Sequence, residues 1–196
     1  MLKPLAQSAA PLERVLKEFE SIGREFGEVA KAAAASHERA SRHWIRPPGA
    51  ADEATFAQTC SKCGICAQVC PANAIKIDSS GDRANGLPYI EPSEMACVVC
   101  DGLHCMQNCP SGALTLVPAT EIDIGTAVWH ESLCVRRLGE DCRICVDNCP
   151  MGSAALSLEA GKVVVHEDHC TGCGVCEQRC PTSPKSITVM AKSARG

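Results

Sequence analysis

The chain has 196 residues and 20.7 kDa, enough for one or two domains. Aromatic residues are only 3%, which leaves little material for a large conventional core. The formal charge of −4, with no stripe of lysine or arginine, excludes a nucleic-acid partner, and no apolar stretch is long enough to span a bilayer.

In chain order, residues 1–44 read as an N-terminal helical arm, 45–59 as a connector, 60–190 as a repeated cysteine-rich domain and 191–196 as a C-terminal tail. The opening, Met1-Leu2-Lys3-Pro4-Leu5-Ala6-Gln7-Ser8, shows neither a twin arginine nor an apolar core, so a cytoplasmic protein is expected. From Pro11 to about Ser41, the residues Leu12, Val15, Leu16, Phe19, Ile22, Phe26, Val29, Ala30 and Ala33 share one helical stripe. Glu13/Lys17, Arg14/Glu18, Glu20/Arg24 and Arg24/Glu28 pair four residues apart on the other faces. A helix of this length is marginal alone in water. Its stripe therefore needs cover, from its own domain, a partner subunit or a second copy. Arg46-Pro47-Pro48-Gly49-Ala50 ends the helix and starts an extended connector.

The domain that follows holds all 16 cysteines, in four groups that each close with Cys-Pro. They are Cys60, Cys63, Cys66, Cys70; Cys97, Cys100, Cys105, Cys109; Cys134, Cys142, Cys145, Cys149; and Cys170, Cys173, Cys176, Cys180. The first and last read C-x2-C-x2-C-x3-C-P, the bacterial ferredoxin run for a [4Fe-4S] cluster. Three thiolates of such a run hold one cubane, and the fourth serves a second cubane. Four groups predict four [4Fe-4S] clusters held as interlocked pairs, with all sixteen cysteines as ligands. Zinc sites make no use of the x3-Cys-Pro ending. A disulfide scaffold belongs to short secreted chains, and a thioredoxin-like pair would be single. With sixteen thiolates and cubanes of roughly +2 each, the loaded protein carries about −12.

After each Cys-Pro a helical turn and a strand are expected, over 74–77, 113–116, 155–158 and 186–189. A second strand precedes groups two, three and four, over 88–91, 127–130 and 163–166. Gly81, Gly86, Gly125 and Gly161 supply turns between them. The repeat is the ferredoxin half-module, so the fold class is α+β: two dicluster modules behind an amphipathic helix. The middle groups are looser, with four residues between Cys100 and Cys105 and seven between Cys134 and Cys142. These insertions reshape the surface over their clusters, by loop drift or as a docking site. Arg136, Arg137 and Arg143 would favour the reduced form of the third group's cluster. His104 and His169 adjoin ligand cysteines and read as surface residues, since every ligand position is filled.

The stretch 45–50, then Phe56 and Cys60-Ser-Lys-Cys63-Gly-Ile-Cys66, resembles the ferredoxin-type proteins of periplasmic nitrate reduction and methylamine utilisation. So does the second group, through Cys105-Met-Gln-Asn-Cys109-Pro110-Ser111-Gly112-Ala113-Leu114, which is also similar to four-cluster subunits of the dimethyl-sulfoxide-reductase type. The resemblance covers residues 45–190 and implies a non-catalytic electron-transfer subunit. Its partners would be a catalytic oxidoreductase subunit and a donor or acceptor module, flavin-containing ones included. Those relatives carry a twin-arginine leader where this chain carries the arm. The arm, the size and the absence of that leader point to the polyferredoxin subunit of a tungsten- or molybdenum-pterin aldehyde oxidoreductase. Alternatives are a periplasmic-type quinol-linked subunit of nitrate reduction and a free soluble polyferredoxin; a redox sensor is disfavoured by the number of clusters. Spacing alone cannot choose between linear pairing of the groups (one with two, three with four) and nesting (two with three, one with four). The likeness to the reductase subunits favours nesting.

Overall fold

The computed structural model describes residues 44–77 and 84–194. The expected arm helix lies outside them, as does the turn at Gly81. Short helices and two-stranded antiparallel sheets make up the described fold, which is α+β.

Helix α1 spans Glu53–Thr59, where the Asp52 side chain caps the first turn by accepting from Thr55 N–H at 3.0 Å. It buries Phe56 completely. Arg46 fastens the connector beneath it: the guanidinium pairs with Glu53, donates to the Pro88 carbonyl at 3.0 Å and stands 5.6 Å above the Phe56 ring. Four one-turn helices follow: α2 Ile65–Gln68, α3 His104–Gln107, α4 Ile144–Asp147 and α5 Val175–Arg179. Each carries the third cysteine of a group as its second residue. Helix α2 packs on α3, and α4 on α5.

Strand β1 (Ile75–Lys76) pairs with β2 (Tyr89–Ile90), and β4 (Leu156–Glu159) with β5 (Lys162–Val165), each pair joining two consecutive cysteine groups. Strand β3 (Gly125–Trp129) pairs with β6 (Ile187–Ala191) and closes the second module around its hairpin. The equivalent closure of the first module is a single bridge, Ala50 to Leu114, so the strand expected over 113–116 does not form. Its partner is the connector just after Pro47 and Pro48, which have no N–H to extend a ladder. The Thr115 N–H bonds the Gly49 carbonyl at 2.9 Å, and Gly49 lies at φ +81° with no room for a Cβ.

One core, around Phe56, Ile90, Met106, Leu114 and Ile124, serves the first module. Another, around Ala127, Leu156, Val163 and Ile187, serves the second. The modules meet where Ala96 packs with Val175 and the Cys97 N–H donates to the Cys173 carbonyl at 2.9 Å. Gln178 Nε2 adds a bond to the Glu94 carbonyl at 3.2 Å.

Candidate iron–sulfur centres

Four cavities are each lined by four cysteines. The first is lined by Cys60, Cys63, Cys66 and Cys109, and the second by Cys97, Cys100, Cys105 and Cys70. Cys170, Cys173, Cys176 and Cys149 line the third, and Cys134, Cys142, Cys145 and Cys180 the fourth. Every quartet takes three cysteines from one group and the closing cysteine of its module partner. Cys70 faces group two and Cys149 faces group four, so the groups pair linearly and the nested expectation is corrected. The reason lies in the sheets: the hairpins β1–β2 and β4–β5 fold group two back on group one, and group four back on group three.

The shifts of several buried thiols follow from the same packing. Burial pushes Cys66 up to about 11 and Cys97 and Cys105 up to about 12, with repulsion from neighbouring thiols adding to it, Cys173 of the second module first among those acting on Cys97. Cys109 acts on Cys66, and Cys70 on Cys97 and Cys105, which are the cross-group neighbours of the linear scheme. In the second module burial raises Cys145 to about 11 and Cys176 further, with Cys180 and Cys149 as the respective cross-group neighbours. Such groups stay protonated at pH 7 until a cationic centre displaces the proton.

Cys109 and Cys180 run the other way. Burial would raise both, but hydrogen bonds to their sulfurs outweigh it. Cys109 receives the Leu114 N–H at 3.4 Å and the Ser111 hydroxyl at 3.7 Å, and its thiol is lowered. The Ser186 and Thr182 hydroxyls, both 3.2 Å from the Cys180 sulfur, bring its thiol down to about 7. Both hydroxyls at the second position after the cysteine follow a proline, in Cys109-Pro110-Ser111 and Cys180-Pro181-Thr182. The sequence reading passed over this signal; Cys70-Pro71-Ala72 and Cys149-Pro150-Met151 lack it. Backbone N–H groups of Lys62, Ala74 and Ala127 reach Cys60, Cys70 and Cys170 at 3.4 Å.

Two further cavity-lining groups gave no sequence signal. The Thr171 hydroxyl and the Trp129 indole N–H are buried without a hydrogen-bond partner, in the third and fourth cavities respectively. An orphaned buried donor costs about 1–3 kcal/mol. Thr171 reaches no acceptor at bonding distance, yet it stands close enough to Cys173 to oppose the rise that burial imposes on that thiol. A group with acceptor sulfurs in these cavities would satisfy both donors. Among the described residues no three His, Cys, Asp or Glu side chains converge as a single metal ion requires. The quartets stand back around a hollow, and all-sulfur, cysteine-only lining is the donor set of a [4Fe-4S] cluster rather than a mononuclear site.

Of the three arginines near the third group, only Arg136 lines a cavity. Its guanidinium donates to the Cys142 carbonyl at 2.7 Å and the Gly161 carbonyl at 2.8 Å. Arg137 is exposed, and Arg143 pairs at the surface with Asp147 at 3.3 Å. His104 and His169 are exposed and line none of the four cavities.

Known proteins are similar to this chain. The family described as a 4Fe-4S dicluster domain matches residues 59–113 and 139–183, one match for each module. The methylamine utilization ferredoxin-type protein MauM of Paracoccus denitrificans (strain Pd 1222) is 38% identical over 161 residues, covering 76% of this chain and 71% of that protein. MauM of Methylophilus methylotrophus is 33% identical over 206 residues, covering 95% and 90%. The ferredoxin-type protein NapG of Escherichia coli (strain K12) is 35% identical over 170 residues, covering 79% and 74%.

Proposed function

The chain belongs to the 4Fe-4S dicluster, ferredoxin-type family, and from that membership we propose a relay subunit whose four cavities form one line between two redox partners. The protein carries [4Fe-4S] clusters and transfers electrons without catalysing a reaction of its own. When bound, each cluster supplies one-electron chemistry. The cysteines hold it as the quartets above, and burial of Cys66, Cys105 and Cys176 keeps water off its inner face.

The observation that carries the reading is the contact between quartets. Within each module the cavities exchange a cysteine. Between modules the Cys97 N–H to Cys173 carbonyl bond joins the second cavity to the third. The order is therefore group one, group two, group four, group three. Burial agrees with it at the fourth group, whose loop residues 171–177 are all buried, while the second group's loop is open at Val98, Asp101 and His104. The outer loops are open: Ser61, Lys62 and Cys63 at one end, and residues 137–141 at the other, are exposed. Partners would meet the relay at these two ends. Leu138, 74% exposed at the tip of the third group's insertion, marks the second one.

Relatives of the methylamine-utilisation and NapG kinds favour partners of those systems over the tungsten- or molybdenum-pterin aldehyde oxidoreductase, and the cytoplasmic placement gains no support from them. Self-association through residues 1–44 is retained as a proposal, and truncation with size-exclusion chromatography decides it. The test of the relay itself is analysis of anaerobically isolated protein. About sixteen iron and sixteen acid-labile sulfide per chain are expected, four cubanes' worth. A plateau near twelve in fully reconstituted protein, or stoichiometric zinc, overturns it.

A further inference from the structure

Two cavity-lining positions carry a donor in the second module where the first has an apolar side chain. Directly after the first cysteine of group two stands Val98, and directly after the first cysteine of group four stands Thr171. Each lines the cavity of its own group. Threonine has the shape of valine with a hydroxyl in place of one methyl. In the outer cavities, Phe56 precedes group one and lines its cavity, while Trp129 precedes group three and lines its own. Indole replaces a phenyl ring and brings an N–H. The two donors differ from their counterparts in burial as well, since Val98 is 46% exposed and Thr171 2%, and both donors are buried without a hydrogen-bond partner. Both modules already have a Cys-Pro-Ser/Thr hydroxyl, at Ser111 and at Thr182, so that feature does not distinguish them.

We propose that the Thr171 hydroxyl and the Trp129 indole N–H donate hydrogen bonds to cluster sulfur, raising the potentials of the second module so that electrons held by the chain rest there. The proposal rests on the relay reading above. The physical basis is that a donor stabilises sulfur more as its negative charge grows, and reduction adds one electron to each cubane. No bond is made or broken and no proton is transferred; each electron that arrives comes from the donor partner at the other end. Arg136, which lines the Trp129 cavity, acts in the same direction through its charge. Thr171 and Trp129 are positioning residues: they set where the electron resides, while the cysteines hold the centre.

Thr171→Val and Trp129→Phe remove the two donors and leave apolar side chains in their place. Redox titration of loaded protein followed by electron paramagnetic resonance should show one of the four centres in each variant becoming about tenfold harder to reduce, or about 59 mV for a one-electron couple. Thr171→Ser should restore the parent potential. In deuterium oxide, the unmodified protein should show an exchangeable deuteron coupled to the centre nearest Trp129, a signal absent from Trp129→Phe. This last measurement needs no stable variant beyond one that binds its clusters. Unchanged potentials in both substitutions at full iron content, or no exchangeable coupling lost in Trp129→Phe, overturn the proposal. An unmodified protein holding fewer than four clusters overturns instead the relay reading beneath it.

Discussion

The two modules reach the same arrangement of cysteines by different means. The second closes with the five-residue ladder of β3 on β6 and a four-residue hairpin. The first has a two-residue hairpin and two isolated bridges, Ile45 to Ile90 and Ala50 to Leu114. What the first lacks in ladder bonds it replaces with a brace: Arg46 held by Glu53, Pro88 and the Phe56 ring, and a connector stiffened by Pro47 and Pro48. The lesson is that the cavity constrains the fold more than the sheet does. Any scaffold that presents three cysteines on a loop and first helical turn, and a fourth after the partner's helix, meets the need.

The comparison breaks first at the glycines. Gly172, at φ +73° in the fourth group's loop, would place a Cβ 2.3 Å from the Gly125 backbone nitrogen. Gly172→Ala should cost about 2–5 kcal/mol from left-handed strain and overlap together. Denaturant unfolding and iron analysis should show the third cavity emptied, leaving about twelve iron if only that cubane is lost. Gly139→Ala, at φ +88° with open space around it, meets only the conformational cost of about 1–2 kcal/mol and should retain all its iron. Equal losses from the two would show that the close approach to β3 is not a constraint.

Next comes the brace. Arg46→Met removes the donor to the Pro88 carbonyl and should destabilise the first module by about 1–3 kcal/mol. Bleaching of cluster absorbance in denaturant should become biphasic, with the first module's share lost earlier. A single transition shifted as a whole would mean the modules unfold as one unit.

A smaller effect concerns pH. Burial holds Cys66, Cys97, Cys105 and Cys145 at about 11 to 12, so iron must displace their protons throughout the accessible range. Cys180, at about 7, gives up its proton unaided as pH rises past that value. Iron retention against a chelator should therefore fall as pH drops from 8 to 6, with proton uptake as the clusters are lost. Above pH 7 the fourth cavity, whose Cys180 thiol has already given up its proton, should show the shallowest dependence, steepening as pH falls below 7; retention independent of pH would contradict this assignment of the thiols. The smallest effect is expected at Leu138→Ser, within about 0.5 kcal/mol of the parent in stability because the side chain is exposed. Its effect should appear in the rate of electron exchange with a partner.

Much of this was legible in the sequence. The four-by-four cysteine pattern placed every cavity-lining cysteine in its group, and six of the seven short strands appear within a residue or two of their expected spans. The seventh, at 113–116, failed because a strand is made by its partner as well as by its own residues, and that partner follows two prolines. Pairing was illegible for a similar reason. Spacings within groups one and four are identical, so only the hairpins joining consecutive groups decide which closing cysteine meets which loop. Thr171 and Trp129 read as an unremarkable threonine and a strand aromatic until the cavities show what each faces. Ser111 and Thr182 were readable from Cys-Pro-Ser/Thr, a hydroxyl two residues past the shared ligand position.

The central claim is that each module holds its own two clusters and that the modules join at Cys97 and Cys173. Anomalous diffraction at the iron edge from anaerobically grown crystals tests it directly. Four iron peaks in a line are expected, with Cys70 beside the peak of Cys97, Cys100 and Cys105, and Cys149 beside that of Cys170, Cys173 and Cys176. A peak shared by Cys70 and the fourth group's cysteines, or by Cys109 and the third group's, would contradict it.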